Sequence, residues 1–142
     1  MRTPSKKGER EFNPFKVLLV SDFPRVRMGL ASLFAREARF AVVGECGTAT
    51  EALAAVHERR FAIVVLDLSL RSDLGPDLVR DLRAADEQLR ILVTSVHEDM
   101  LYAGMALHAG ARAYVNKNIA PHEVLQALDE LVAPLAGGIT LT

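Results

Sequence analysis

The sequence predicts an α/β protein: a doubly wound, five-stranded parallel sheet in the order 2-1-3-4-5 with helices on both faces. Three observations predict it. Runs such as Ala62-Ile-Val-Val-Leu66 are apolar without alternation, the pattern of strands buried on both faces. Each apolar run is followed by a segment with helical spacing, so short links and right-handed crossovers give a parallel sheet. The runs also stop in polar residues, and the carboxyl ends of strands are where open α/β sheets place their ligands.

Taken in order, Met1 to Pro14 mixes Arg2, Lys6, Lys7 and Arg10 with Glu9 and Glu11 and has no apolar face, so residues 1–14 read as a mobile arm. Phe15 to Val20 is the first strand, ending at Ser21-Asp22-Phe23-Pro24. Pro24 suits the first turn of a helix, in which Val26, Leu30, Leu33 and Phe34 share one face. Phe40 to Cys46 is the second strand, placed at a sheet edge because Glu45 interrupts it. Thr48 caps a helix from Ala49 to about His57, with Ala52, Leu53 and Val56 inward. The third strand ends at Asp67. Gly75-Pro76 opens a helix whose apolar side is Leu78, Val79 and Leu82. Arg90 to Ser95 repeats the design of an apolar strand ending in polar groups. A helix from Glu98 to Ala109 is weakened by Gly104, at roughly 1 kcal/mol against alanine, and stops at Gly110. Ala113-Tyr114-Val115 makes a short fifth strand ending at Asn116-Lys117. Pro121 starts the last helix, with Val124, Leu125, Leu128, Leu131 and Val132 on its buried side.

Composition bounds the function. The 142 residues suit one domain, half of them hydrophobic and a quarter charged, with a formal net charge of −1. No global field therefore draws the chain to nucleic acid or membrane. With Cys46 as the one cysteine, an internal disulfide and a cysteine metal site are excluded, and Cys46 reads as a small buried hydrophobe. The sequence has neither an eighteen-residue apolar window nor a signal-like N-terminus, which predicts a cytoplasmic protein without a membrane segment.

The polar strand ends carry the chemistry: Asp22 from strand one, Asp67 and Ser69 from three, Thr94 and Ser95 from four, Lys117 from five. Taken singly these have ordinary readings. Asp67 opens a loop, Thr94 is a turn residue, Lys117 a solvated loop lysine and Tyr114 a core aromatic with its hydroxyl in water. His57, His97, His108 and His122 lack metal-ligand spacing. Together, two carboxylates with a carbonyl and waters suit Mg²⁺, which keeps several waters and uses few protein ligands. A cation beside Asp67 would let that carboxylate attack phosphorus and form an aspartyl phosphate. Lys117 would neutralise phosphoryl oxygens, and the Thr94 hydroxyl would donate to one.

From Phe15 to Pro134 the chain resembles a response-regulator receiver domain. The tract Val17-Leu-Leu-Val-Ser-Asp-Phe-Pro-Arg-Val-Arg-Met-Gly-Leu30, with Val42-Val-Gly-Glu45, resembles the subfamily whose receivers precede a LuxR-type helix-turn-helix. Gly110-Ala-Arg-Ala-Tyr-Val-Asn-Lys117 is similar to the family's strand-five motif. The resemblance implies that Asp67 is the phosphoacceptor, Asp22 a Mg²⁺ ligand and Ser69 a ligand through its carbonyl. It implies Thr94 and Tyr114 as the switch pair and Lys117 as the phosphate-binding lysine. The donor would be a histidine kinase or a small acyl phosphate. The domain would not be an enzyme beyond self-phosphorylation and autodephosphorylation. Phosphorylation would change the surface of helix four, strand five and helix five, a bistable element biased by local charge.

The chain departs from the family pattern at three places. The first of the usual two acidic residues after strand one is Ser21, whose hydroxyl can hold a metal-bound water but brings no charge. One charge pair at about 4 Å is worth roughly 1–4 kcal/mol between bulk water and a protein surface, so Mg²⁺ binding is expected to weaken. The proline usual four residues after the phosphoacceptor is Arg71, and Asn118 follows Lys117 where many receivers carry proline.

The leading expectation is a two-component receiver that controls transcription through a DNA-binding output domain outside these residues. Residues 135–142 resemble the start of the linker to it, although a stand-alone receiver would read the same. A pseudo-receiver working without phosphorylation is the alternative, favoured by Ser21 and opposed by Asp67, Thr94, Tyr114 and Lys117. A phosphatase forming its own aspartyl phosphate would want an aspartate where Ser69 stands, and no G-x-G-x-x-G follows any strand. A homodimer through the last helix, paired with helix one or helix four, is expected on symmetry grounds.

Overall fold

The computed structural model describes residues 13–68, 73–95, 100–116 and 121–132. Five strands, β1 (Phe15–Val20), β2 (Phe40–Cys46), β3 (Ile63–Asp67), β4 (Arg90–Ser95) and β5 (Ala113–Asn116), alternate with five helices. These are α1 (Pro24–Phe34), α2 (Ala49–Glu58), α3 (Pro76–Ala85), α4 (Met100–Ala109) and α5 (Pro121–Val132). The strands are all parallel, in the order β2-β1-β3-β4-β5, which is the expected doubly wound arrangement. The expected arm at 1–14, apart from its last two residues, and the linker at 135–142 lie outside the described residues, as does Glu98.

The unbroken apolar runs form strands because both their faces are covered. All of β3 is buried, and Ile63, Val64, Val65 and Leu66 are fully so. Alternate residues feed two cores. Leu18, Val20, Val64, Leu66, Ile91 and Val93 pack with Ala52 of α2, Leu78, Val79 and Leu82 of α3, and Ala106 of α4. Val17, Leu19, Ile63, Val65 and Leu92 pack on the other face with Phe34 of α1 and Val124, Leu128 and Leu131 of α5. Truncating a residue such as Leu66 to alanine costs about 2–5 kcal/mol. Of the face expected on α1, Leu30, Leu33 and Phe34 join this second core together with Ala31, while Val26 is only partly covered and lies outside it.

Local signals set the helix ends. Pro24 and Pro76 occupy the first turns of α1 and α3, where a missing N–H costs nothing. The Thr48 side chain accepts from Glu51 N–H at 3.1 Å, and Glu51 reaches back to accept from Gly47 N–H at 2.9 Å, a reciprocal cap. Gly110 after α4 has φ +125°, and a Cβ there would stand 2.7 Å from Arg83 Cγ. Arg83 is itself held by the Glu87 and Leu89 carbonyls. Only glycine fits that turn, which delivers the chain into β5.

β2 is the edge strand, as Glu45 suggested, but its pairing is irregular in a way that the sequence did not announce. Val17 pairs with Val42 and Leu18 with Gly44, so Val43 is an extra residue in a bulge. Val43 is exposed, and its carbonyl accepts from Arg59 Nη2 at 2.9 Å. On the opposite side of the molecule α4 leaves Met105 and Leu107 nearly half exposed. Among the described residues no helix is long and apolar enough to cross a membrane.

Candidate functional site

The parallel register assembles the site. Val20 pairs with Leu66, so the next residue of the β1 segment, Ser21, falls beside Asp67. Asp67 in turn pairs with Thr94, and Leu68 N–H donates to the Thr94 carbonyl at 2.9 Å, carrying the ladder past the carboxylate. Ser21, Asp67 and Thr94 are all buried, at most 1 % exposed. A charge so deeply placed is tolerated only with hydrogen-bond partners.

Asp67 has them on both sides. The Ser21 hydroxyl donates to Oδ2 at 2.9 Å, and the Thr94 hydroxyl donates to Oδ1 at 3.3 Å. Ser21 is fixed further, because its Oγ accepts from Phe23 N–H at 3.1 Å and its own N–H donates to the Cys46 carbonyl at 3.1 Å. The hydroxyl thus has its proton committed to the carboxylate. A metal-bound water would approach Ser21 Oγ as a donor, so this bond and the expected role of Ser21 are compatible.

Asp22 is half-buried, and its Oδ1 is sequestered with no hydrogen-bond partner among the described residues. Such an oxygen calls for a cation or water. Among the described residues no three acidic, histidine or cysteine side chains converge as a metal cluster. A Mg²⁺ ion, needing one or two carboxylates and keeping its waters, fits this donor set; a cation demanding a full protein cage does not.

One residue without an assigned role in the sequence reading supports the β1 side. Arg27, one turn into α1, donates through Nη1 to the Ser21 carbonyl, and its Nε lies 3.5 Å from Glu45 Oε1. Gly47 makes room for it, since a Cβ there would come within 3.2 Å of Nη1. The signal was available: an arginine five positions after Asp22 falls on the helix turn facing the β1 loop. Beside it, burial and then Glu51 push the Cys46 thiol up to about 11, with Arg27 opposing. Cys46 is half-buried against the core, the small hydrophobe its sequence context suggested.

On the β4 side, Tyr114 is aligned with Val93, one residue short of Thr94, and packs half-buried against the core under α2, α3 and α4. Ser69 and Lys117 lie outside the described residues, as does Arg71. The site residues that the structure brings together are therefore Ser21, Asp67 and Thr94 in contact, with Asp22 at the β1 edge and Tyr114 on the neighbouring strand.

The fold and this strand-end cluster define a signal-receiving α/β module. Residues 17–129 match the response regulator receiver domain, and the chain belongs to that family. It is 36% identical over 117 residues to the transcriptional activator protein ExaE of Pseudomonas putida, covering 82% of this chain and 55% of that protein. To the DNA-binding transcriptional activator DevR/DosR of Mycobacterium tuberculosis it is 36% identical over 118 residues, covering 83% and 54% respectively. A two-component response regulator of the LuxR family from Aurantimonas superposes with a TM-score of 0.80 at 36% identity, covering 85% of this chain and 86% of that one. The chain spans about half the length of the curated relatives it matches. It is a receiver domain of the kind found in LuxR-type transcriptional response regulators, a signalling module of two-component systems.

Proposed function

We propose that Asp67 is the phosphoacceptor of this receiver and that its phosphorylation controls a LuxR-type DNA-binding output domain. The observation that carries the reading is the placement of Asp67: a buried carboxylate at the carboxyl end of the central strand, met by hydroxyls from both neighbouring strands. Its carboxylate attacks the phosphorus of a histidine kinase's phosphohistidine or of a small acyl phosphate. The new O–P bond forms as the bond to the donor breaks, and imidazole or carboxylate leaves with the electron pair.

Asp22 and Asp67, with the Ser69 carbonyl that the family resemblance adds, are the residues that would hold Mg²⁺; when bound, it offsets the repulsion between carboxylate and phosphoryl oxygens. The orphaned Asp22 Oδ1 supports that assignment. Thr94 already touches Asp67, so a phosphoryl group there gives its hydroxyl a more charged acceptor, and Tyr114 on the adjoining strand completes the switch pair. Lys117, which follows Asn116 in the sequence, is the phosphate-binding lysine of the same reading. The exposed Met105 and Leu107 of α4 suit a surface that changes partners when the switch moves. The DNA-binding and transcriptional activity described for the relatives supports the output assignment, and dimerisation through α5 with α1 or α4 fits a two-fold regulator.

The test is Mg²⁺-dependent phosphoryl incorporation from acetyl phosphate, read by intact mass. One adduct on wild type, lost in Asp67→Asn, is the expected result. A folded wild-type protein that takes no phosphoryl group from acetyl phosphate or from its kinase would leave the pseudo-receiver as the function.

A further inference from the structure

We propose that Arg27 is a positioning residue for the cation site: by gripping the Ser21 carbonyl it sets the aim of Asp22, and so tightens Mg²⁺ binding although it is itself a cation. The inference rests on Asp22 being a Mg²⁺ ligand. The Ser21 carbonyl belongs to the peptide plane that carries the Asp22 amide. A donor that holds this carbonyl fixes the rotation of the plane, and with it the direction in which the Asp22 side chain leaves the backbone. Arg27 Nη1 is such a donor, reaching back from α1. The Ser21 N–H is tied in turn to the Cys46 carbonyl at 3.1 Å.

The guanidinium is placed for the carbonyl rather than for a surface ion pair. An arginine free to settle on a carboxylate often forks across it with two parallel bonds. Here Nε stays 3.5 Å from Glu45 Oε1 and makes no hydrogen bond among the described residues, while Nη1 is directed to Ser21. The slot around it is tight. A Cβ on Gly47 would stand 3.2 Å from Nη1, 3.5 Å from the Ser21 carbonyl oxygen and 4.0 Å from Asp22 Cα, so the turn between β2 and α2 closes over the same three groups. Among the described residues, the buried side-chain atoms without a hydrogen bond are Asp22 Oδ1 and Arg27 Nε. Arg27 therefore leaves that Asp22 oxygen to the cation and holds the backbone behind it. Glu45 beside Nε offsets part of a charge that would otherwise repel Mg²⁺. With Ser21 where the family pattern has an acidic residue, the site leans harder on Asp22, and its aim counts for more.

The sign of the effect separates positioning from plain charge. Backbone-amide NMR titration of the chain with Mg²⁺ gives the dissociation constant without any phosphoryl transfer. If Arg27 acted through charge alone, Arg27→Gln would remove a repelling cation and tighten Mg²⁺ binding. A positioning arginine predicts the opposite, a dissociation constant about tenfold higher, with Arg27→Lys, which keeps the charge and one donor, in between. Gly47→Ala keeps every charge, and Gly47 has no positive φ, so its new methyl crowds the guanidinium without straining the backbone. It should raise the constant about threefold. Amide spectra of these variants should overlay on wild type away from the two turns, which a general loss of fold would not allow. An Arg27→Gln constant that is unchanged or lower overturns the proposal; should that variant not fold, Gly47→Ala decides in the same way. A wild type without Mg²⁺-dependent shifts overturns the cation site and this inference with it, whereas the phosphoacceptor reading stands or falls separately, on the intact-mass adduct.

Discussion

On the β1 flank of Asp67 the partner hydroxyl is buried, lies 2.9 Å away and accepts from Phe23 N–H, and the backbone of Ser21 is tied to the Cys46 carbonyl and the Arg27 guanidinium. On the β4 flank the partner hydroxyl is equally buried but reaches only to 3.3 Å. The same functional group thus meets the carboxylate twice, at 2.9 Å and at 3.3 Å. The Ser21 flank is braced from behind by Arg27, which bonds the Ser21 carbonyl and pairs with Glu45. The Thr94 flank adjoins Tyr114 and β5, whose entry depends on the turn at Gly110.

The largest effect expected on this picture removes the shared centre. Asp67→Asn abolishes the phosphoryl adduct in intact mass, a loss of more than about a hundredfold, because an amide is no nucleophile at neutral pH. Next is Gly110→Ala. A side chain at φ +125° beside Arg83 strains the turn that feeds β5, and urea denaturation should show a loss of about 1–3 kcal/mol. Ser21→Ala removes the acceptor of Phe23 N–H and one donor to Asp67, costing about 1–3 kcal/mol. Thr94→Ala gives up one long bond and should cost about 0.5–1.5 kcal/mol. If Thr94→Ala proved the costlier of these two hydroxyl deletions, the comparison would be inverted.

A pH experiment sharpens the contrast on the β1 side. The Cys46 thiol is raised from 9.0 to about 11 by burial and Glu51. The folded state therefore prefers the protonated thiol. Its contribution to stability is present below about pH 9 and is lost as the pH climbs through about 11. Alkylation of the native protein at pH 8 should run roughly tenfold or more slower than that of the unfolded chain, which mass spectrometry can follow. The smallest effect lies farthest away. Arg39, bonded to Asp129 and Glu37 and raised by both, ties the start of β2 to α5 at the surface. Removing it with Arg39→Ala should cost no more than about 1 kcal/mol, less in salt.

How much of this was legible differs between the backbone and the site. Unbroken apolar runs located β1, β3 and β4 because a strand covered on both faces has no polar position to hide, and β3 is buried from end to end. Pro24, Thr48, Pro76 and Gly110 marked helix ends by chemistry that is local in sequence. Asp67, Thr94 and Asp22 could be picked out because each directly follows such a run. The direction of the Ser21 hydroxyl could not, since it depends on the register of β1 against β3 and on Phe23 N–H. Arg27 went unassigned for a related reason: its partners, Ser21 and Glu45, belong to different strands. The bulge at Val43 was hidden too, because a valine in a strand reads the same whether or not it is paired.

That bulge bears on how the molecule behaves in a crowded solution. β2 is the open margin of the sheet on one side, and an open margin is a template on which a second chain can crystallise its own strand. Here the extra residue throws the outward amide row out of step, and Arg59 occupies the Val43 carbonyl with a charged group. A copy approaching this margin finds neither a matching repeat nor a free acceptor at Val43. The protein is thereby guarded against sheet-to-sheet polymerisation at its β2 margin.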